Sequence, residues 1–114
     1  MTILPQEVWF ADFPFADDPT QSKDRPVIVL HVDDETCRVL SMKVTSSEPR
    51  TEFEIELFDW ERIPLSHKST ADASTVRSLA KERFRRRIGR LSDADWGNVT
   101  AFYRAWAERF TANN

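Results

Sequence analysis

The sequence predicts a mainly β domain with one terminal helix, folded as a small β-barrel or strongly curled sheet. Three observations carry this. Short runs rich in β-branched and aromatic residues recur as far as residue 90, separated by polar or proline-bearing turns. Within the strand expected over residues 52–58, acidic and apolar side chains alternate strictly from Glu52 to Leu57, the period of a half-buried strand. Only from Ser92 onward do the apolar residues fall at steps of three and four.

Glu7 to Phe13 reads Glu-Val-Trp-Phe-Ala-Asp-Phe and is the first strand. Pro14 to Asp24 is a loop without glycine, so it is not a phosphate-cradling P-loop. Val27 to Val32 is the second strand, and Val27 to Leu30 is apolar enough to require cover on both faces. Pro26 fixes its own φ and pushes Arg25 toward an extended conformation. Arg25 therefore stands at the mouth of a buried strand, facing either a cleft or open solvent. Asp33 to Thr36 is a turn, and Cys37 to Val44 a third strand in hairpin with the second. Thr45 to Arg50 is a polar loop. Phe53, Ile55 and Leu57 point to the core, with Glu52, Glu54 and Glu56 outward. Asp59 to Ser69 is irregular, plugged by Trp60 and Ile63. A short strand at Thr75 to Leu79, a helical turn at Ala80 to Arg83 and a strand ending at Gly89 follow. Ser92-Asp-Ala-Asp95 has the form of a capping box. It opens a helix over 93–110 whose apolar face carries Trp96, Val99, Phe102, Tyr103, Trp106 and Phe110.

At 114 residues the chain makes one domain, with 40% apolar and 31% charged residues, a globular rather than disordered composition. No apolar run approaches the ~20 residues of a membrane span. Cys37 is the only cysteine, and the N-terminus lacks a signal-peptide pattern, which together point to a reducing cytoplasm. A net charge of −3 argues against indiscriminate binding of polyanions. The charge is uneven: Arg77 to Arg90 holds seven basic residues and one acid, and Glu48 to Glu61 six acids and one base. The basic stretch reads equally as an anion-binding surface, a solvated rim, or half of an intersubunit contact with the acidic strand.

Several motifs together carry a resemblance. Glu7-Val-Trp9, Asp12-Phe-Pro-Phe15, Arg25-Pro-Val-Ile-Val-Leu30, Lys43-Val-Thr-Ser46, Asp59-Trp60, Ser69 and Ile88-Gly-Arg-Leu-Ser92 occur in this order over residues 5–105. In this the chain resembles the PemK/MazF toxins of type II toxin–antitoxin pairs. The resemblance implies a single domain over 1–114 with an SH3-like β-barrel and a C-terminal helix packed on it, usually as a homodimer. It implies a metal-independent endoribonuclease that cuts single-stranded RNA by attack of the 2′-hydroxyl, leaving a 2′,3′-cyclic phosphate. Partners so implied are RNA and a small cognate antitoxin, with no cofactor and no membrane. The family's functional arginine and threonine map to Arg25 and Thr45.

Those residue types suit the chemistry. The guanidinium of Arg25 matches two phosphate oxygens and keeps its charge. Thr45 can donate a hydrogen bond to a phosphoryl oxygen. Ser22 and Lys23, from the loop before Arg25, together with Ser46, Arg50 and Arg77, are further substrate-binding candidates. Histidine is the side chain ordinarily titrating near neutrality. His31 reads as structural, and His67, in a polar loop, as a proton carrier. Departures from the family pattern are Asp72-Ala-Ser74 where relatives carry Arg-x-Asp, Ile63-Pro-Leu65, and the missing loop glycine. They motivate a second reading, a catalytically degenerate binding module or a protein-directed inhibitor of gyrase type. A third is a housekeeping barrel using the basic stretch as an interaction surface.

Overall fold

Backbone pairing carries two hairpins further than side-chain character alone suggests. The computed structural model describes residues 2–112, and side chains as far as Arg109. Strand β1 (Glu7–Pro14) pairs antiparallel with β2 (Ser22–Asp33) from Val8↔Ile28 to Pro14↔Ser22. Both ends of the segment expected as a loop, Pro14 and Ser22 to Asp24, are thus strand. A ladder uses only main-chain groups, so polar residues extend it wherever both strands face water. Ser22, Lys23 and Arg25 stand on β2 rather than on a mobile loop. The connection closes tightly, with Phe15 N donating to Gln21 O at 3.0 Å and the Asp18 carboxylate accepting from Thr20 N at 3.2 Å.

Strand β3 (Arg38–Thr45) pairs with β2 over Arg38 to Lys43. Its other edge carries β6 (Arg77–Ala80) along Arg38 to Ser41 and β5 (Ser69–Asp72) at Val44 and Thr45. Strand β4 (Glu54–Leu57) completes one side of the sheet on β5, and β7 (Phe84–Arg90) the other on β1. The order is β4-β5-β3-β2-β1-β7, with β6 beside β3. This is a curled, barrel-like antiparallel sheet whose two end strands are not paired with each other.

Two cores lie on the two faces. Ile28 belongs to one, Val27 and Val29 to the other, and all three are fully buried, as the unbroken apolar run requires. The second core (Trp9, Ala11, Phe13, Val39, Leu79, Phe84) draws on strands β1, β2, β3, β6 and β7, so the sheet curls around it. The first is covered by helix α1 (Asp93–Ala112), through buried Val99 and half-buried Trp96, Tyr103 and Trp106. The side chain of Phe110, expected on that face, falls outside the described residues. Gly89 sits where β7 passes the fully buried Ile63; a Cβ there would lie 3.3 Å from the Ile63 main chain.

Four sequence expectations change. Ser69 to Asp72 forms a strand that Ser-Thr-Ala-Asp did not announce, because its polar side chains bond to adjoining loops. Strand β4 is shorter than expected, and Glu54 is buried instead of solvated, its carboxylate accepting from Arg50 N at 3.3 Å. His31 is exposed at an irregularity in the β2–β3 register, so it is not a core residue. Asp95 does not complete a reciprocal capping box. Its amide donates to Ser92 Oγ at 3.2 Å, but its carboxylate, 1% exposed, accepts from the amides of Phe58 at 3.0 Å and Asp59 at 2.9 Å. The helix is thereby pinned to the chain leaving β4. Asp95→Ala leaves two amides without their acceptor and is expected to cost about 2–4 kcal/mol in a urea titration, with Asp95→Asn recovering part of it.

Glu7 anchors the other side of the sheet. Its carboxylate accepts from Leu4 N at 2.8 Å, Trp9 Nε1 at 3.1 Å and Arg87 Nε at 2.6 Å. Burial pushes its pKa up, but these three donors and the charge of Arg87 outweigh it and hold the carboxyl below its usual 4.5. A depressed carboxyl stabilises the fold above its unfolded pKa, and that stability is lost as pH falls through the folded value. Glu7→Gln should therefore lower stability at pH 7 by about 1–3 kcal/mol. The gap between variant and wild type in denaturant melts should close as the pH is taken below 4.5.

Candidate active site

The ladder between β2 and β3 stops at Val27↔Lys43. Pro26 has no N–H to offer a further rung. Beyond that point β2 pairs with β1 and β3 with β5, and the two strands part. A cleft of about 450 Å³ opens between them. Lys23 to Pro26 form one lip, Lys43 to Ser47 the other, and Arg50, Leu65, Ser66, His67 and Ser69 close the far end. Extending the register sets Arg25 opposite Thr45, and the period of two puts Arg25, Lys43 and Thr45 on one face. Buried residues of β5 hold the two flanking loops: Thr70 Oγ1 donates to Ser47 O at 2.6 Å and Ser69 Oγ to His67 O at 2.9 Å.

The cleft is cationic and unneutralised. Among the described residues, Lys23, Arg25, Lys43 and Arg50 take part in no ion pair. Burial pushes the pKa of Lys43 down and the nearby charge of Arg25 pushes it further, with Asp72 and Glu54 opposing. The Thr45 hydroxyl is buried with no hydrogen-bond partner, the one such side-chain atom among the described residues. An orphaned buried donor costs about 1–3 kcal/mol, and an acceptor seated in the cleft would relieve it. A second cavity of about 220 Å³ lies alongside, walled by Phe13, Phe15, Thr75 and Arg77, and it shares Arg25 and Lys43 with the cleft. No group of three or more His, Cys, Asp or Glu side chains suited to a metal ion occurs among the described residues.

A curled antiparallel sheet capped by one helix has known counterparts. The model of a family described as PemK-like, MazF-like toxin of type II toxin-antitoxin system matches residues 5–104. The chain belongs to that family. Solved structures agree on the fold. MazF from Deinococcus radiodurans superposes with a TM-score of 0.76 at 18% identity, over 95% of this chain and 98% of that one. A mycobacterial endoribonuclease in complex with its cognate antitoxin gives 0.69 at 11% identity, over 91% and 93%. The Mycobacterium tuberculosis toxin MazF-mt6 gives 0.67 at 16% identity, over 85% and 91%. No curated protein matches the sequence.

In this PemK/MazF-like toxin the cleft gathers Arg25, Thr45, Lys23, Ser46, Arg50 and His67. Arg77 lies across the Arg25–Lys43 wall in the second cavity, and Ser22, exposed opposite Pro14, lines neither. Sequence reasoning passed over Lys43, although its place two residues before Thr45 on a strand puts it on the same face. The conspicuous basic stretch lies elsewhere. Arg87 pairs with Glu7 at 2.6 Å, Arg85 with Asp24 at 3.5 Å, Arg83 with Asp12 at 3.7 Å and Lys81 with Asp34 at 2.7 Å, while Arg86 covers the Phe10 ring at 4.5 Å. These partners come from β1, β2 and the turn after β2, not from the acidic residues 48–61. Replacing the orphaned hydroxyl by a methyl tests whether it serves the fold or a ligand. Thr45→Val keeps shape and β-branching, and is expected to hold or raise stability by about 1 kcal/mol in thermal or urea melts while abolishing the function of the cleft.

Proposed function

We propose that this toxin is a homodimeric, metal-independent endoribonuclease that cuts single-stranded RNA. The observation that carries the reading is the buried Thr45 hydroxyl, without a hydrogen-bond partner among the described residues, in a cleft whose four cations form no ion pair among those residues. Such a site fits a phosphodiester, which brings both negative charge and hydrogen-bond acceptors. The 2′-hydroxyl of the RNA attacks the adjacent phosphorus. Arg25 stabilises the charge gathering on the phosphoryl oxygens, and Thr45 donates to one of them. Lys23 and Arg50 hold the flanking phosphates, Ser46 adds a hydroxyl at the lip, and Arg77 receives the neighbouring nucleotide. His67, exposed at the far end, accepts or relays a proton. The cognate partner is a small antitoxin with an acidic segment that neutralises the same cations, in keeping with the mycobacterial relative solved in complex with its antitoxin.

Purified protein incubated with single-stranded RNA in a chelator should release fragments ending in a 2′,3′-cyclic phosphate and a 5′-hydroxyl. Arg25→Ala should slow this by about 10²–10³-fold. Intact RNA across varied sequences would favour a binding module instead, and an Arg25→Ala enzyme as fast as wild type would remove the arginine from the mechanism.

A further inference from the structure

We propose that Lys43 is the general acid of this cleft, donating a proton from Nζ to the departing 5′-oxygen; the inference rests on the ribonuclease reading above. Three placements lead to it. Lys43 lines both cavities, as does Arg25, so the two form the ridge between them. A strand laid through both cavities carries a phosphate over that ridge. The register sets Lys43 opposite Val27, one step along the same face from both Arg25 and Thr45. Lys43 is half-buried and has no ion pair among the described residues, so its ammonium is not committed elsewhere.

The chemistry needs such a group. As the P–O2′ bond forms, the P–O5′ bond breaks and its electron pair stays on the 5′-oxygen. Unprotonated, that oxygen departs as a strongly basic alkoxide. Arg25 is the weaker donor, since a guanidinium gives up its proton less readily than an ammonium. Lys43 is the stronger. Its ammonium transfers one proton to the 5′-oxygen and becomes a neutral amine, which regains a proton from water. The proton of the 2′-hydroxyl passes to His67 or, through it, to water at the open mouth of the cleft, leaving a cyclic phosphodiester and a 5′-alcohol. The setting eases loss of that proton: burial and the charges of Arg25 and Arg50 lower the pKa of Lys43, with Asp72 and Glu54 opposing.

Sulfur in place of the bridging 5′-oxygen separates acid from anchor. A thiol ordinarily ionises near pH ~8.5, so a thiolate leaves without a proton donor. Two oligonucleotides of the same sequence are compared, one with oxygen and one with sulfur at the bond that wild type cuts, using Lys43→Gln and Lys43→Arg with their melting temperatures checked. Both variants should lose about 10²–10⁴-fold on the oxygen substrate. Both should cut the sulfur substrate within a few-fold of wild type. Equal losses on the two substrates would make Lys43 a phosphate contact and overturn the proposal. So would an unimpaired Lys43→Gln, or recovery of the oxygen rate by Lys43→Arg, which keeps the charge without a labile proton. A wild type inert on both substrates overturns the ribonuclease reading itself, and is distinct from a wild type that cuts while the Lys43 variants cut equally well.

Discussion

The end of the β2–β3 ladder at Val27↔Lys43 is the constraint on which the molecule's arrangement turns. At and just above that rung, Val27 and Ile28 are paired on both edges, and Val27 to Val29 are fully buried and join two cores at once. Below it, the same two strands are held only by their outer neighbours, β1 and β5. The strands cannot drift apart, because each is locked into a ladder, and cannot close, because Pro26 lacks the donor a further rung needs. A cleft made this way has rigid walls. Arg25, Lys43 and Thr45 stand on strands, the placement that gives a site of charge stabilisation its precision.

Charge placement follows a division between structure and site. Arginines and a lysine along residues 81–87 meet acids from β1, β2 and the following turn, or cover an aromatic ring. They make the exposed outer strand β7 a charged edge, unattractive to a further strand. The cations of the cleft are spread over residues 23, 25, 43 and 50 and have no such partners. A local count of charge along the sequence therefore finds the neutralised set and misses the other, which only folding assembles.

That contrast explains what was legible in the sequence. Strand periodicity, the helix start at Ser92 and the two-sided burial of Val27 to Val29 depend on neighbours in sequence, and each could be read there. Arg25 and Thr45 emerged from motifs at either end of a hairpin. Lys43 did not, because a lysine on a strand is ordinarily a solvated residue, and its half-burial depends on where β3 turns from β2 to β5. Strand β5 was invisible for the same reason. Its Ser69 and Thr70 are buried and hydrogen-bonded to carbonyls of the two loops beside the cleft, so polarity that reads as loop in one dimension is satisfied in three. Asp95 likewise has the position of a capping residue, yet its carboxylate serves amides 36 and 37 residues away.

The relation between cleft and cores sets what the fold can tolerate. Both apolar clusters stand apart from the cleft's polar lining except at Val44, which belongs to the first core, and Leu65, which packs against it. Stability thus resides in residues that do not touch the candidate chemistry, and the unfavourable features are concentrated at the cleft. An orphaned hydroxyl, a desolvated lysine and an unpaired guanidinium each oppose folding, and each is relieved by an anion seated among them. The same relief is open to a phosphodiester and to a carboxylate-rich inhibitory segment, because both bring negative charge and acceptors to the same donors. Under the proposed function, competition between substrate and antitoxin needs no conformational switch. It follows from one set of unsatisfied groups that two kinds of anion can satisfy, with the tighter occupant excluding the other.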